Sequence, residues 1–424
     1  MRALDKVIGY ESIKLELYRI IDIFHNPEKY KALGVSVPKG FILEGEPGIG
    51  KTLMAKSFIE ESGRQTYVIR KDRPDGVFVD YIRETFEKAV KNAPSIVLLD
   101  DLDKFANEDM YHRDAEEYVT VQACIDEAKN KDVFIIATTN AIQELPDSLI
   151  RSGRFDKRFH MNFPKNEEAR KIISFYLKDK MVAEDIDVEE IARFSGECSC
   201  ADLETVVNEA GVYAGYEGKD FIGQEDLKRA CLRKIYNAEE SVDESDTESM
   251  NRRAVHEAGH AAVAEYFLPG AVSFATIHSN RHGINGMVLR KVDDHFHENF
   301  KNAEIEVMIS LGGKAATELV LNEIDMGTNR DLRQAFRRVE RLLDVAAYDF
   351  HSWVDDDPTS HTSHHVIDHF DIVKGAEMTR YYTMTKQILG KNRAFLDELI
   401  RQLLEKKTLS YKDIAPIREK YVMN

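Results

Sequence analysis

The 424-residue sequence predicts an α/β module with parallel strands, followed by a mainly α-helical second domain. An apolar run at 41–43 leads into a glycine-rich loop and then into helical sequence at 53–59. Two further apolar runs, at 96–99 and 133–137, end in polar residues, as buried parallel strands do at the edge of a sheet that faces a ligand. In the second half of the chain, strands are expected at 272–290, and helices are expected around 254–264, 305–320, 332–348 and 376–424, which indicates a mainly helical second domain.

The composition is that of a globular protein, with 43% hydrophobic and 31% charged residues. A net charge of -17 disfavours nucleic acid and anionic membranes as partners. No uncharged apolar run approaches the roughly 18 residues of a membrane span, and the first residues lack the apolar core of a signal peptide. The four cysteines lack CxxC spacing and are predicted to be free thiols. We therefore expect a cytoplasmic location, no nucleic-acid partner and no transmembrane segment in this chain.

The loop after the first strand has a phosphate-binding pattern. Its residues fit GxxxxGK(S/T) between a strand and a helix, where backbone N–H groups can surround phosphates. Lys51 can reach the β- and γ-phosphates, and the Thr52 hydroxyl can bind Mg²⁺. The alternative is a glycine-rich turn without a ligand. The pattern predicts a site for ATP and Mg²⁺ formed by Gly45, Pro47, Gly48, Ile49, Gly50, Lys51, Thr52 and Leu53.

Polar residues at the ends of the next two apolar runs complete this site. Asp100 is expected near the Mg²⁺ ion, and Asp101 is placed to orient the attacking water. Asn140 can reach the γ-phosphate or the same water from the neighbouring strand. The alternatives are a helix N-cap for the aspartates and an ordinary turn for Asn140.

An HExxH motif lies in the second domain, at 256–260. His256 and His260 are four residues apart, so a helix puts both imidazoles on one face, where they can bind one Zn²⁺. Glu257 then lies beside the metal and can take a proton from a water molecule that the metal activates. Gly259 in mid-helix suggests close packing or substrate clearance. The alternative is a chance match with two buried histidines satisfied by hydrogen bonds.

The P-loop, the aspartate-rich strand end, Ala137-Thr138-Thr139-Asn140 and the stretch at 149–156 together resemble AAA+ ATPases. Followed by the HExxH motif, they resemble the FtsH-type ATP-dependent zinc metalloproteases over nearly the whole chain. This resemblance implies a homo-oligomeric ring, commonly a hexamer, in which Arg151 and Arg154 reach the neighbouring subunit's nucleotide. Without the family, surface salt bridges would be the preferred interpretation of both arginines.

The same resemblance assigns roles to other stretches. Residues 327–332 resemble the loop that carries the third zinc ligand, which makes Asp331 the candidate, although Asp331 can equally cap the helix that follows it. Residues 283–290 resemble an edge strand beside the active site, and residues 200–210 resemble a second nucleotide-sensing helix.

The fold that this resemblance implies is an α/β P-loop AAA+ module with a helical subdomain, followed by a mainly α-helical zinc peptidase domain. A histidine group at 361, 365 and 369 has metal-compatible spacing, but its polar surroundings favour a solvated loop. The predicted boundaries are 1–163 for the nucleotide-binding subdomain, 164–235 for the helical subdomain, 236–250 for an acidic linker and 251–424 for the peptidase.

The chain departs from the family at three points. Asp101 replaces a glutamate that is one methylene longer, so slow ATP hydrolysis is expected. The pore loop is shortened, and Phe78 is the nearest substitute for its aromatic residue. Typical members have N-terminal transmembrane segments; their absence here suggests a soluble variant or an anchor upstream of this sequence.

The predicted function is an ATP-dependent zinc endopeptidase that unfolds, translocates and degrades protein substrates. One alternative is an AAA+ remodelling ATPase with weak or lost proteolysis. The other is a peptidase with a regulatory nucleotide-binding module.

Overall fold

A computed structural model describes residues 2–34, 37–106, 115–151, 153–239, 246–280, 285–291, 299–324, 328–346 and 364–422. The chain folds into two compact units. The first comprises Met1–Asp179 and Glu197–Thr205, and the second comprises Lys180–Gly196 and Val206–Asn424.

The first unit is built on a parallel β-sheet, which has five strands in the described residues, in the order β2-β3-β4-β1-β5. Strands β1, β3 and β4 are buried almost throughout, as expected for central parallel strands covered on both faces. Their carboxyl ends meet at one edge of the sheet, which carries the P-loop after β1. The strands are β1 (Gly40–Glu44), β2 (Gln65–Ile69), β3 (Ser95–Leu99), β4 (Val133–Thr139) and β5 (Lys157–His160).

Helices flank this sheet and form two apolar cores against its faces. One core contains a cluster of phenylalanines, in which Phe41 and Phe58 meet edge to face with their centroids 5.1 Å apart. The helices are α1 (Glu11–His25), α2 (Pro27–Ala32), α3 (Lys51–Ser62), α4 (Asp75–Lys91), α5 (Glu116–Ala128), α6 (Asp147–Ile150) and α7 (Asn166–Leu177).

The second unit is mainly helical and carries a small antiparallel sheet, in which β6 lies between β7 and β8. Helix α9 begins with residues of the first unit and continues in the second. The helices are α8 (Val188–Ser195), α9 (Cys200–Tyr216), α10 (Gln224–Lys234), α11 (Thr247–Phe267), α12 (Phe300–Leu321), α13 (Asn329–Ala346), α14 (His364–Lys391), α15 (Arg393–Lys406) and α16 (Tyr411–Tyr421). The strands are β6 (Val272–Ser279), β7 (Asn285–Arg290) and β8 (Thr408–Ser410).

Helices α11 and α12 cross in very close contact at two glycines. A Cβ atom at Gly259 would lie 2.4 Å from the carbonyl oxygen of Gly312, and one at Gly312 would lie 2.7 Å from the carbonyl oxygen of Gly259. Both distances are shorter than real Cβ contacts, so the two backbones can approach this closely only with glycine at both positions. The close packing expected from Gly259 is therefore confirmed.

Helix α8 packs on the antiparallel sheet through aromatic rings. The ring of Phe194 stacks on that of Phe274 in β6, with centroids 4.7 Å apart and planes 20° apart. The hydroxyl of Tyr236 donates to the Phe194 carbonyl at 2.9 Å. Both phenylalanines are fully buried, so residues on either side of the predicted linker share one core.

The predicted fold class is confirmed: a parallel α/β sheet precedes a mainly helical second part. Within the described ranges, no helix is both long and apolar enough to span a membrane. The three histidines at 361, 365 and 369 lie outside the residues whose side chains are described, as do Gly283, Ile284 and Gly327.

Candidate metal centre and nucleotide site

Helix α11 presents both histidines of the HExxH motif on one face. The Nε2 atoms of His256 and His260 are 3.0 Å apart, as the spacing of four residues predicts. Both side chains are largely buried, with 13% and 12% of their surface exposed.

Helix α13 brings Asp331 to the same point. Its Oδ2 atom lies 3.2 Å from Nε2 of His256 and 3.6 Å from Nε2 of His260. Burial opposes ionisation of Asp331, but the adjacent imidazoles of His256 and His260 hold its pKa well below the usual range. The ligand atoms of the three residues all lie within 4.8 Å of one another, so the sequence-predicted donors converge.

Helix α12 supports the two imidazoles from the other side. Nδ1 of His260 is 2.7 Å from the carbonyl oxygen of Ile309, which can only accept, so His260 carries its proton on Nδ1 and leaves Nε2 free for a metal. A Cβ atom at Gly313 would lie 2.6 Å from Nε2 of both histidines, so this glycine leaves the space between them open. Two imidazole nitrogens and a carboxylate, converging on open space, fit the donor set of a catalytic zinc site with a free coordination position.

Glu257 is buried beside these donors, with 5% of its surface exposed. Burial is the main cause that raises the pKa of Glu257 to about 7; the charge of Asp331 adds to it, and the two histidines oppose it. Strand β7 lies directly against this carboxylate, since a Cβ atom at Gly286 would be 2.6 Å from its Oε1 atom. Gly286 has φ +105°, a conformation that also favours glycine.

In the P-loop of the first unit, the side chain of Lys51 is hydrogen-bonded to backbone carbonyls of the loop itself. Lys51 is 5% exposed, and its Nζ donates to the carbonyls of Gly45 and Glu46, each at 2.7 Å. Burial lowers the pKa of Lys51, against the opposing charges of Asp101 and Asp103.

The remaining P-loop residues lie at the carboxyl edge of the sheet, as predicted. Gly48 and Gly50 have positive φ, 77° and 100°, and Pro47 is exposed in the same turn. Ile49 is buried under the loop, whereas Leu53 in the first turn of α3 is 48% exposed.

The structure brings Thr52 and Asp100 together. The Thr52 hydroxyl donates to Oδ1 of Asp100 at 3.1 Å, and that oxygen also accepts from Thr138 at 2.9 Å. Asp100 is 4% exposed, so a hydroxyl and a buried carboxylate, both suitable ligands for Mg²⁺, lie next to the P-loop.

Asp101 occupies an unusual backbone conformation and is held by two cations. Its φ and ψ, 56° and 58°, are left-handed, and its Oδ2 lies 3.3 Å from Arg70 and 3.0 Å from Lys104. Burial opposes ionisation, but the hydrogen bonds from Lys104 and Arg70 lower the pKa of Asp101. Asn140 is oriented by Asp103, which accepts from its backbone N–H at 3.0 Å and its side chain at 3.4 Å.

The two candidate arginines are placed differently. Arg151 is exposed. Arg154 is 8% exposed, and its guanidinium donates to Asp126 at 2.6 Å and to Gln122 at 3.0 Å. The described contacts of Arg154 are thus within its own chain, whereas Arg151 lies at the surface.

Two contacts at the P-loop involve residues that the sequence patterns did not assign to it. The hydroxyl of Tyr10 donates to the carbonyls of Ile49 at 3.1 Å and Asn162 at 2.7 Å, and burial raises the pKa of Tyr10 far above its usual value. Its position far upstream of the P-loop gave no local signal. The backbone N–H of Ala201 donates to the Gly48 carbonyl at 3.1 Å, at the start of the stretch that resembles a nucleotide-sensing helix.

Phe78 is a core residue of α4. It is fully buried and meets Phe105 edge to face with centroids 5.0 Å apart. The suggestion that Phe78 substitutes for an exposed pore aromatic is wrong, because its ring fills the core beneath the sheet. Val77, next to it, is 58% exposed.

Comparison with protein families identifies two matches. Residues 41–163 match the family described as ATPase family associated with various cellular activities (AAA), and residues 244–417 match peptidase family M41.

Curated relatives match across both regions. An "ATP-dependent zinc metalloprotease FtsH" of Aster yellows witches'-broom phytoplasma (strain AYWB) is 29% identical over 97% of this chain and 63% of its own length. "ATP-dependent zinc metalloprotease FtsH 2" of Thermoanaerobacter sp. (strain X514) is 27% identical over 97% of this chain and 82% of its own length. Another "ATP-dependent zinc metalloprotease FtsH", from Caldicellulosiruptor bescii, is 31% identical over 78% of this chain and 55% of its own length. The chain thus spans between about half and four fifths of these relatives.

Proposed function

The chain belongs to the FtsH-type family, in which an AAA ATPase is joined to peptidase family M41, and we propose that it is an ATP-dependent zinc endopeptidase that degrades protein substrates. The observation that carries the proposal is the convergence of His256, His260 and Asp331 beside the buried carboxylate of Glu257. The same chain has a complete P-loop, so ATP hydrolysis and peptide hydrolysis belong to one polypeptide.

His256, His260 and Asp331 would hold the zinc ion. Bound there, zinc supplies Lewis-acid chemistry, which polarises the scissile carbonyl and acidifies a water molecule. Glu257 acts as general base: its carboxylate accepts the proton of the attacking water and then delivers it to the leaving amine. Because Glu257 is buried between α11 and β7, its carboxylate has little room to turn away from this position.

Strand β7 is the proposed docking site for the substrate backbone. In the described residues it pairs only with β6, so its other side has unpaired backbone groups that an extended peptide can join as an added strand. Gly286 in β7 adjoins Glu257, so a peptide on this edge would pass close to the catalytic carboxylate.

In the first unit, Lys51 and the P-loop backbone bind the phosphates of ATP, while Thr52 and Asp100 hold Mg²⁺. Asp101 and Asn140 orient the attacking water. Lys51 must leave the carbonyls of Gly45 and Glu46 to contact phosphate.

Assembly and location are also part of the proposal. A homo-oligomeric ring, with a hexamer as the expected form, would let Arg151 and Arg154 reach the nucleotide of a neighbouring subunit. Arg154 would first have to leave Gln122 and Asp126. The cytoplasmic location and the absence of nucleic-acid partners rest on the reduced cysteines and the acidic net charge. We also propose that the chain has four segments: a nucleotide-binding subdomain at 1–163, a helical subdomain at 164–235, a linker at 236–250 and the peptidase at 251–424.

Degradation of casein tests the function. Casein should be degraded with zinc and ATP, slowly with a non-hydrolysable analogue, and poorly without nucleotide. Degradation that is equally fast with the analogue would indicate that the nucleotide module is regulatory, and ATP hydrolysis without any cleavage would indicate a remodelling ATPase. Lys51→Ala is the matched control, since it should abolish nucleotide binding while sparing cleavage of short unstructured peptides.

A further inference from the structure

A buried cluster of three charged side chains lies outside the metal site. Glu306 of α12 is 2% exposed and accepts two hydrogen bonds from the guanidinium of Arg290, at 2.8 and 2.7 Å. The same carboxylate lies 3.1 Å from Nη2 of Arg338. Both arginines are themselves largely buried, with 14% and 27% of their side chains exposed.

Each arginine belongs to a different wall of the peptidase site. Arg290 is the last residue of β7, the strand whose Gly286 touches Glu257. Arg338 lies on α13, seven residues after Asp331, so two helical turns put both side chains on one side of that helix. The carboxylate of Glu306 is thus the shared partner of the edge strand and of the helix that carries the third metal-ligand candidate.

The position of Glu306 on α12 relates the cluster to the two histidines. Glu306 and Gly313 are seven residues apart, and Gly313 faces both imidazoles of α11. Arg338 is fixed to α12 by further contacts: it donates to the backbone carbonyl of Glu306 at 3.3 Å and to the hydroxyl of Ser310. Helix α12 therefore contacts the elements that carry the metal-ligand candidates, Glu257 and the proposed substrate edge.

A fork-shaped, two-bond contact between guanidinium and carboxylate fixes direction as well as distance. Buried ion pairs add little stability compared with apolar residues of the same size, because the charges lose their hydration. Two arginines on one buried carboxylate are therefore better explained by a requirement for a defined arrangement than by a requirement for stability.

We propose that Glu306 is a positioning residue that fixes the positions of β7 and α13 relative to α12. Through Arg290 it positions the substrate-binding edge strand, and through Arg338 it positions the helix that carries Asp331. This inference rests on the proposed function, since it assigns substrate to β7 and zinc to the site of Asp331. Neither arginine touches a metal-ligating atom, so each acts through the element that it holds.

The test separates the contact of Glu306 with Arg290 from its contact with Arg338. In Arg290→Met and Arg338→Met, Glu306 keeps one guanidinium, so both proteins should fold. Zinc affinity is measured with the metal alone, by competition with a chromophoric chelator. KM and kcat for an unstructured peptide are measured at saturating zinc.

Arg338→Met should weaken zinc binding about tenfold, at the low end of the effect of losing a group that orients a metal ligand, because α13 would hold Asp331 less firmly; KM should be unchanged at saturating zinc. Arg290→Met should raise KM about tenfold through misplacement of the edge strand, with unchanged zinc affinity. Glu306→Gln should change both. Glu304→Gln is the matched control on the same helix, because in the described part of the chain the Glu304 carboxylate accepts hydrogen bonds from residues of α14, Arg380 at 3.0 Å and Tyr381 at 2.9 Å, and not from Arg290 or Arg338.

The inference is overturned if both arginine variants change zinc affinity and KM together, in proportion to their loss of thermal stability, or change neither. A parent protein that binds zinc but cleaves no peptide would instead contradict the proposed function. In that case the zinc affinity of Arg338→Met would still test whether the contact between Glu306 and Arg338 positions α13.

Discussion

Replacing Gly259 by alanine should loosen the metal centre through backbone displacement alone. The added Cβ would lie 2.4 Å from the Gly312 carbonyl oxygen and 2.5 Å from the Ala316 methyl group. An ordinary contact begins at 3.4 Å, so α11 and α12 must separate by about 1 Å at this point. Such a shift moves His260 relative to the Ile309 carbonyl that orients its imidazole.

The expected loss of peptide cleavage is about 100-fold, the usual cost of a 1 Å misplacement of catalytic groups. Overpacking costs about 1–3 kcal/mol, and alanine returns about 1 kcal/mol through its better helix propensity, so the net loss of stability stays below about 2 kcal/mol and the protein should fold. Zinc affinity, peptide cleavage and urea unfolding measure the three effects, while ATP hydrolysis in the first unit should be unchanged.

Gly375→Ala is the control for helix propensity. Gly375 lies within α14 and is exposed, and an added Cβ would meet no described atom within 4 Å apart from the neighbouring backbone of its own helix. This variant should be as stable as the parent or slightly more stable, with full activity. Parental zinc affinity and cleavage in Gly259→Ala would refute the reasoning, because they would show that the crossing can widen without disturbing the histidines.

Three further predictions concern single side chains. Glu257→Gln should abolish cleavage while zinc binding and ATP hydrolysis remain. Burial raises the pKa of Glu257 from 4.5 to about 7, so the metal-free parent should lose stability as the pH rises from about 4.5 to about 7. In urea unfolding with chelator, the stability of the variant relative to the parent should therefore increase by about 3 kcal/mol between pH 4 and pH 9. An unchanged difference between the two proteins across this range would show that the carboxyl group is not protonated in the folded state. Asp331→Asn should weaken zinc retention, measured by metal analysis after dialysis, and an unchanged metal content would move the third ligand elsewhere. Asp101→Glu should raise steady-state ATP turnover without changing nucleotide affinity, and Asp101→Asn should lower turnover; a glutamate variant slower than the parent would mean that the left-handed backbone at this residue has adapted to aspartate.

The local parts of both sites could be predicted from the sequence because their geometry depends on short spacings. The pair His256 and His260 needs only one turn of helix, and the P-loop needs only a strand, eight residues and a helix. Asp331 is far from both histidines in the chain, and residue spacing alone did not select it; the resemblance to a family did.

The parts that could not be predicted depend on contacts between distant segments. The partners of Glu306 come from β7 and α13, and no periodic pattern relates those residues. Strands β2 and β5 were not predicted, because their sequences lack a continuous apolar run. Several of their side chains are exposed, so these positions do not require apolar residues.

The burial of Phe78 did leave a signal in the sequence. Phe78, Ile82 and Phe86 are four residues apart, the spacing of the buried face of a helix, and all three are buried in α4. The helical spacing therefore predicts a core position for Phe78, in conflict with the resemblance to a pore loop.

The stack of Phe194 on Phe274 bears on how the chain can be divided. A polypeptide that starts at residue 251 would retain both histidines, Glu257 and Asp331, yet it would leave one face of the Phe274 ring open to water, because its covering partner lies upstream. The exposed ring would lie on the central strand of the small sheet and form an exposed apolar surface that favours self-association. An autonomous peptidase fragment would therefore have to begin before α8, so that the upstream helix still shields the sheet.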